Sequence, residues 1–336
     1  MTIEDMLSGF ARATLMTSAT PTERLDRLSD QLGLDLWIKR DDLTGLSFGG
    51  NKTRQLEFYL GEAQQQKADT ILITGAVQSN FVRSAAAAAA KLGMDAVLQL
   101  EERVPGMGAD YYRSGNVLLA GLLGAEHLHY PTGEDEIGAD NALHERADQL
   151  KAEGRKPYVI HLGIDHPPLG ALGYVAAAAE LMTQISDFEA AVVPSGSGST
   201  HGGFLAGLRL AGQSAPVYGI CVRRDQHQQH VRMQQVLGRL ADMLGFDPVL
   251  VMDDIQTWDG ALAPGYGQIG PATRNALTLM ARSEGIFLDP VYSAKTFAGL
   301  LGLLEQGVLQ QGQKVILLHT GGQPALFGYQ DELLSP

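Results

Sequence analysis

The residue with the plainest chemical potential in this sequence is Lys52. It stands in Arg40-Asp41-Asp42-Leu43-Thr44-Gly45-Leu46-Ser47-Phe48-Gly49-Gly50-Asn51-Lys52-Thr53-Arg54, where two glycines and an asparagine lead into a helical pattern. Such glycines let the backbone pass close to a bound group. Lys39, Arg40 and Arg54 nearby disfavour a further positive charge and so depress the amine's pKa. A neutral amine near pH 7 is what imine chemistry needs. A solvated lysine after a glycine turn fits this stretch equally well.

Three more segments carry polar groups at the junction of a strand and a helix. Ser195-Gly196-Ser197-Gly198-Ser199-Thr200 follows an apolar strand and opens a helix. Successive N–H groups, hydroxyls and the positive helix end make an anion cup there. The glycine spacing matches neither the dinucleotide fingerprint, the Walker A loop nor the nucleophile elbow, so a phosphate monoester suits it better than ATP or NAD. A turn capped by Ser and Thr is the plainer alternative. Gln78-Ser79-Asn80 sits at another helix start, where Ser79 can cap the helix or bind a carboxylate. His319-Thr320-Gly321-Gly322 ends a strand, the edge at which ligands gather in open α/β sheets. Asp225, His227 and His230 read as a solvated helix start, and no metal site is expected.

These segments need elements to hold them. The chain has 336 residues, 45% apolar and 19% charged, with 40 glycines, which suits two α/β domains with large cores. Lys and Arg number 25 against 38 Asp and Glu, a formal charge of −13. That balance disfavours nucleic acid and anionic membranes as partners. Cys221 is the single cysteine, so no disulfide framework is expected. An early Glu4 and Asp5, with no long apolar run, predict neither a secretory signal nor a membrane span, and a cytoplasmic protein. Short apolar runs at 36–39, 70–74, 96–100, 127–130, 158–161, 191–193, 217–222, 249–252 and 315–318 read as buried strands. Helical patterns at 79–92, 110–123, 138–153, 169–185, 200–211, 228–244, 272–284 and 294–305 separate them. The alternation predicts parallel sheets with right-handed crossovers. Residues 163–169 read as a candidate hinge.

Taken in order, the motifs resemble the fold type II pyridoxal-phosphate enzymes, the tryptophan synthase β-like group, and within it D-cysteine desulfhydrase and 1-aminocyclopropane-1-carboxylate deaminase. The match rests on Ile38-Lys39-Arg40-Asp41-Asp42, Gly49-Gly50-Asn51-Lys52, Gln78-Ser79-Asn80, Gly170-Ala171-Leu172-Gly173-Tyr174, Ser195 to Thr200, Ala263-Pro264-Gly265-Tyr266-Gly267, Leu288-Asp289-Pro290-Val291-Tyr292 and His319-Thr320-Gly321-Gly322. The resemblance implies two three-layer α/β/α domains with parallel-rich sheets: a large cofactor domain from 1–52 plus 164–336, and a small one, 53–163, inserted in it. It implies Lys52 as the Schiff-base lysine and Cα proton carrier, and Asn80 against the cofactor's phenolic oxygen. Ser197, Gly198, Ser199 and Thr200 would hold the phosphate, and Thr320 would meet the ring nitrogen. Ser79 would lie near the substrate carboxylate, with Tyr266 and Tyr292 on the substrate side. A homodimer is the usual state.

The deaminase pattern has Glu and Leu where this chain has Ser293 and Thr320, and the hydroxyls favour β-elimination over ring opening. The expected reaction is D-cysteine to pyruvate, sulfide and ammonia. Alternatives are sulfite release from L-cysteate, with His166 or Arg83 as the cationic sulfonate contact, and the cyclopropane deaminase. A non-catalytic pyridoxal-phosphate-binding protein is the reading from another class. Two departures bear on the site. Gln55 replaces a family lysine that helps bind phosphate. The stretch Gly163-Ile164-Asp165-His166-Pro167-Pro168-Leu169 replaces a Gly-Gly-Ser-Asn loop, which would bring Asp165 and His166 near the substrate.

Overall fold

A computed structural model describes residues 2–133, 135–163 and 165–334. Its ten strands are β1 (Thr22–Arg24), β2 (Asp35–Arg40), β3 (Thr70–Ala76), β4 (Asp95–Glu101), β5 (Glu126–Tyr130), β6 (Pro157–Ile160), β7 (Ala190–Ser195), β8 (Val217–Cys221), β9 (Gln256–Trp258) and β10 (Lys314–His319). They form two sheets. One has six strands in the order β1-β2-β10-β7-β8-β9, and the other four in the order β5-β4-β3-β6. Among the described residues only the β1–β2 pairing is antiparallel.

The central strands are apolar throughout because helices cover both faces. β3 and β7 have every residue buried. The large core gathers Ala191, Val193, Ile316 and Leu318 of the six-stranded sheet under Phe204, Leu205 and Leu208. A second cluster covers the opposite face with Leu36, Ile38, Val192 and Leu317. The four-stranded sheet has its own core, built on Ile71, Ile73, Leu98 and the helix Asn80–Leu92, whose alanine run packs flat against it.

Register aligns the strand ends that matter. His319 pairs with Arg40, which sets Thr320 beside the loop leading to Lys52. Ser195 pairs with Cys221, which sets residues 196–198 beside 222–224. Ala76 pairs with Glu101 in the other sheet, setting Ser79 and Asn80 near Arg103. Close helix packing completes the frame. A Cβ on Gly203 would lie 2.1 Å from the Ala171 oxygen, so the helices Leu169–Gln184 and Ser199–Leu210 approach to a distance only glycine permits.

Two expectations fail. Residues 249–252 are a helical turn, not a strand. The Asp247 carboxylate accepts the Val249 N–H at 3.0 Å, and Pro248 begins the turn. A four-residue apolar run carries no period with which to separate the two. The pattern at 110–123 is two helices, Ala109–Arg113 and Gly115–Leu122, broken at Gly115, which has φ +55°.

Candidate functional site

The carboxyl ends of both sheets open onto one cleft of about 1150 Å³, counting its mouth. Lys52, Ser79, Asn80, Ser197, Gly198, Thr200, Tyr266, Tyr292 and Thr320 all line it. Residues from six separate stretches of chain are thereby brought together.

Lys52 occupies the first turn of the helix Asn51–Gln65. The turn before it is tight: Gly49 has φ +64°, and a Cβ there would sit 1.9 Å from the Asp42 oxygen. The Asn51 N–H donates to the Thr320 oxygen at 3.0 Å, and the Asn51 amide donates to Thr200 Oγ1 at 2.9 Å. The lysine loop is therefore tied to both the β10 end and the anion cup. Lys52 Nζ lies 4.6 Å from the Phe81 ring centroid and donates to Gln55 Oε1 at 3.3 Å. Burial brings its pKa down to about 8.

That cause corrects the sequence argument. Lys39 and Arg54 do not act on Lys52. They belong to a buried ionic cluster, in which Arg54 bridges Asp41 at 2.8 Å and Glu180 at 2.9 Å, and Lys39 meets Glu180 at 2.5 Å. Arg40 pairs with Asp42 and Glu23. Desolvation alone depresses the amine.

The anion cup lies between β7 and the helix Ser199–Leu210. Gly198 takes φ +97°, and a Cβ there would press on Val236 at 3.0 Å. The first N–H groups of the helix have no carbonyl partners within it. The Thr200 hydroxyl accepts from Asn51 and from Gln55 Nε2, both at 2.9 Å. Arg232 backs the cup, donating to the Ser197 oxygen at 2.8 Å and the Leu162 oxygen at 3.1 Å. Burial lowers its pKa to about 10. Ser199 is the exception among the expected cup residues. It lines a smaller neighbouring pocket with His161, His166 and Pro168.

Ser79 caps the helix Asn80–Leu92, accepting from the Val82 N–H at 3.3 Å. Asn80 Oδ1 accepts from Asn116 at 2.7 Å, which fixes the amide and leaves its NH2 to donate elsewhere. A Cβ on Gly322 would lie 2.4 Å from that nitrogen, so the glycine makes room for it. The Tyr266 and Tyr292 hydroxyls are 2.8 Å apart, with rings edge to face. Burial, then the neighbouring Tyr266, raises the Tyr292 pKa well above 10.

Several sequence expectations are relocated. Ser293 does not reach the cleft. Its hydroxyl and N–H both bind Asp289 Oδ1, at 2.7 and 2.6 Å, and it is buried. Asp165 points to solvent, 92% exposed, and His166 stacks on His161 with centroids 3.6 Å apart. Arg83 is buried against Asn116 and Ser47, outside the cleft. Besides Lys52, the cleft's charged groups are Arg103, Arg223, Arg224, Arg232, Glu101, Glu136 and Asp140. None was singled out from sequence, although Arg223 and Arg224 directly follow a buried strand, where ligand contacts collect.

A buried amine of lowered pKa, an anion cup and a fixed amide donor suit a phosphorylated aldehyde. Comparison with known proteins decides which. The family model described as pyridoxal-phosphate dependent enzyme matches residues 13–321. The chain belongs to the pyridoxal-phosphate dependent enzymes. It is 40% identical to a D-cysteine desulfhydrase of Yersinia pestis (strain Pestoides F), over 99% of this chain and 100% of that one. It is also 40% identical to one of Serratia proteamaculans (strain 568), with the same coverage. A crystal structure described as an ACC deaminase homologue superposes with TM-score 0.89 at 37% identity, covering 99% and 98% of the two chains. The fold is thus the type II, tryptophan synthase β-like one. For a pyridoxal-phosphate dependent enzyme, the donor set fits the cofactor: hydroxyls and helix N–H groups for the phosphate, an amide for the phenolic oxygen, an amine for the aldehyde. Among the described residues no helix is long and apolar enough to cross a membrane.

Proposed function

We propose that this chain is a carbon–sulfur lyase that converts D-cysteine to pyruvate, sulfide and ammonia. The observation that carries the reading is the Lys52 amine, buried against Phe81 in the cleft with its pKa brought down to about 8. The full-length relatives named D-cysteine desulfhydrase supply the substrate. Pyridoxal phosphate, when bound, supplies an electrophilic carbon for the substrate amine and a ring that accepts the electrons left at Cα.

The protein's own groups do the rest. Lys52 would hold the cofactor, and its amine takes the Cα proton, because its lowered pKa leaves a useful fraction neutral near pH 8. Ser79, at a helix N-terminus, receives the substrate carboxylate. Tyr292 stays protonated, so the Tyr266–Tyr292 pair donates to the departing sulfur rather than taking the Cα proton. Asn80 donates to the phenolic oxygen. Ser197, Gly198, Ser199 through its N–H, and Thr200 hold the phosphate, with Arg232 in place of the family lysine that Gln55 replaces. Thr320, a hydroxyl at the β10 end, leaves the ring nitrogen without a proton from an acid, which suits a simple elimination. The large cofactor domain runs over 1–52 plus 164–336, with 53–163 as the smaller domain inserted in it. A cytoplasmic homodimer is the form that the family resemblance supports.

The test is a substrate panel on the cofactor-loaded protein: D-cysteine, L-cysteine and 1-aminocyclopropane-1-carboxylate. Sulfide and pyruvate from D-cysteine in equal amounts are expected. Activity confined to the cyclopropane acid, with 2-oxobutyrate formed, overturns the reading.

A further inference from the structure

The lyase reading gives no task to Arg83, a buried cation outside the cleft. It lies in the helix Asn80–Leu92, one turn after Asn80, and is 1% exposed. Among the described residues its Nη2 has no hydrogen-bond partner, and burial lowers its pKa to about 10. A guanidinium buried without a carboxylate costs stability. The bonds it does make run toward the cofactor residues. Its Nη1 donates to the Ser47 oxygen, in the turn ahead of Lys52, and its Nε donates to Asn116 Oδ1 at 3.1 Å.

Asn116 lies in the helix Gly115–Leu122 and is buried. Its Nδ2 donates to the Gln78 oxygen at 2.9 Å and to Asn80 Oδ1 at 2.7 Å. Its N–H donates to Gln78 Oε1 at 2.9 Å, while Gln78 Nε2 donates to the Tyr111 and Ser114 oxygens at 2.6 and 3.0 Å. A side-chain amide can sit either way round, and only its partners decide which. Here the partners allow one setting. Arg83 can only donate, so it requires the Asn116 oxygen. The Gln78 carbonyl can only accept, so it requires the Asn116 NH2. That NH2 in turn requires the Asn80 oxygen. The NH2 of Asn80 is left for the cleft that Asn80 lines.

We propose that Arg83 is a positioning residue for the cofactor: acting through Asn116, it sets the Asn80 amide with its NH2 toward the phenolic oxygen of pyridoxal phosphate. The inference rests on the reading of Asn80 as the partner of that oxygen. An arginine suits this post because it stays a donor at every working pH and never accepts a bond, so the relay runs in one direction. Each bond in such a chain polarises the next, so a cation at its head strengthens the donor at its end.

The experiment titrates cofactor-free protein with pyridoxal phosphate and with 3-deoxypyridoxal phosphate, which lacks only the phenolic oxygen. The ratio of the two affinities is the readout. Looser packing lowers both affinities together and cancels, so the ratio reports the contact at the oxygen. Wild type is expected to prefer pyridoxal phosphate. Asn80→Ala should lower that preference about 10- to 100-fold, the worth of a hydrogen bond to a charged group. Arg83→Met leaves Asn116 Oδ1 buried without a donor and should lower it about 10-fold. Arg83→Lys, which keeps a donor for Asn116, should recover most of that loss. Asn116→Asp keeps an acceptor for the guanidinium, and so the fold, but turns the Asn80 amide round. Its preference should fall to the Asn80→Ala value or below. A wild-type preference retained in Arg83→Met and Asn116→Asp overturns the proposal and spares the Asn80 contact. A preference that Asn80→Ala leaves unchanged overturns that contact, and the relay with it. If Arg83→Met does not fold, Asn116→Asp decides alone.

Discussion

At the residue scale, the account turns on desolvation rather than on charge. Lys52 was legible as a candidate because two glycines and an asparagine preceded it, but the reason for its reactivity was not. The cations close to it in sequence, Lys39 and Arg54, point away into the Asp41–Glu180 cluster. What acts on the amine is burial, and the Phe81 ring at its side comes from another motif. The sign of the consequence is definite. A lysine lowered from 10.5 to about 8 becomes a competent nucleophile as pH rises through 8, not through 10.5. The rate at which cofactor-free protein captures pyridoxal phosphate should rise with a midpoint near pH 8, followed by absorbance. Borohydride reduction and peptide mapping should then place the pyridoxyl group on Lys52. A midpoint near pH 10 would contradict the assigned environment.

Arg232 is the residue that sequence reasoning missed most plainly. Loss of a family lysine to Gln55 was visible, but the cation proposed in its place lies 177 positions downstream in sequence, on a helix that reaches the back of the cup. Arg232→Gln should weaken pyridoxal phosphate about 10- to 100-fold in a direct titration of the cofactor-free protein, as expected for a charge-assisted contact. Ser293 marks the desulfhydrase branch in sequence, but its hydroxyl acts away from the cleft. Its neighbour in sequence, Tyr292, faces the cleft, but Ser293 begins a helix and turns inward to cap Asp289.

At the scale of elements, the long periodic stretches were legible and the short ones were not. The alanine run ending at Gly93, and the strands of uniform Val, Ile and Leu, carry enough residues to show their period. The three-residue strands β1 and β9 carry polar residues on exposed positions and gave no such signal. The central place of β10, between β2 and β7, is also beyond local pattern, since it depends on pairing across the whole chain. What the motifs share is position: each ends a strand or starts a helix, which is where backbone donors are left over. The close contact between the helices Leu169–Gln184 and Ser199–Leu210 holds the anion cup at its place. Gly203→Ala, with no room beside the Ala171 oxygen, should cost about 1–3 kcal/mol or more in denaturant unfolding and weaken cofactor binding in parallel.

At the scale of the molecule, two sheets meet with their carboxyl ends on one cleft, and three kinds of tie hold them there. The helix Asn51–Gln65 links them covalently. The Glu136 carboxylate crosses from one side to Arg223 and Arg224 on the other. Beneath the lysine loop, Asp41, Arg54, Glu180 and Lys39 form the buried ionic cluster, with the Tyr174 hydroxyl donating to Asp41 at 2.6 Å. Removing Glu180 takes the carboxylate from the buried Lys39 amine and leaves Arg54 with Asp41 as its one acidic partner. Glu180→Ala should therefore destabilise the fold by about 3–5 kcal/mol, read by urea unfolding, although it touches nothing in the cleft.

The claim on which all scales converge is that Lys52 moves the Cα proton in a β-elimination. Sulfide and pyruvate release from D-cysteine by wild type and by Lys52→Ala, each assayed with pyridoxal phosphate in excess, tests it most directly. The account predicts equal amounts of the two products from wild type and a loss of about 10²- to 10⁴-fold in rate for the variant, the usual worth of a positioned proton carrier. A Lys52→Ala protein that folds, binds the cofactor and releases sulfide at the wild-type rate would contradict it.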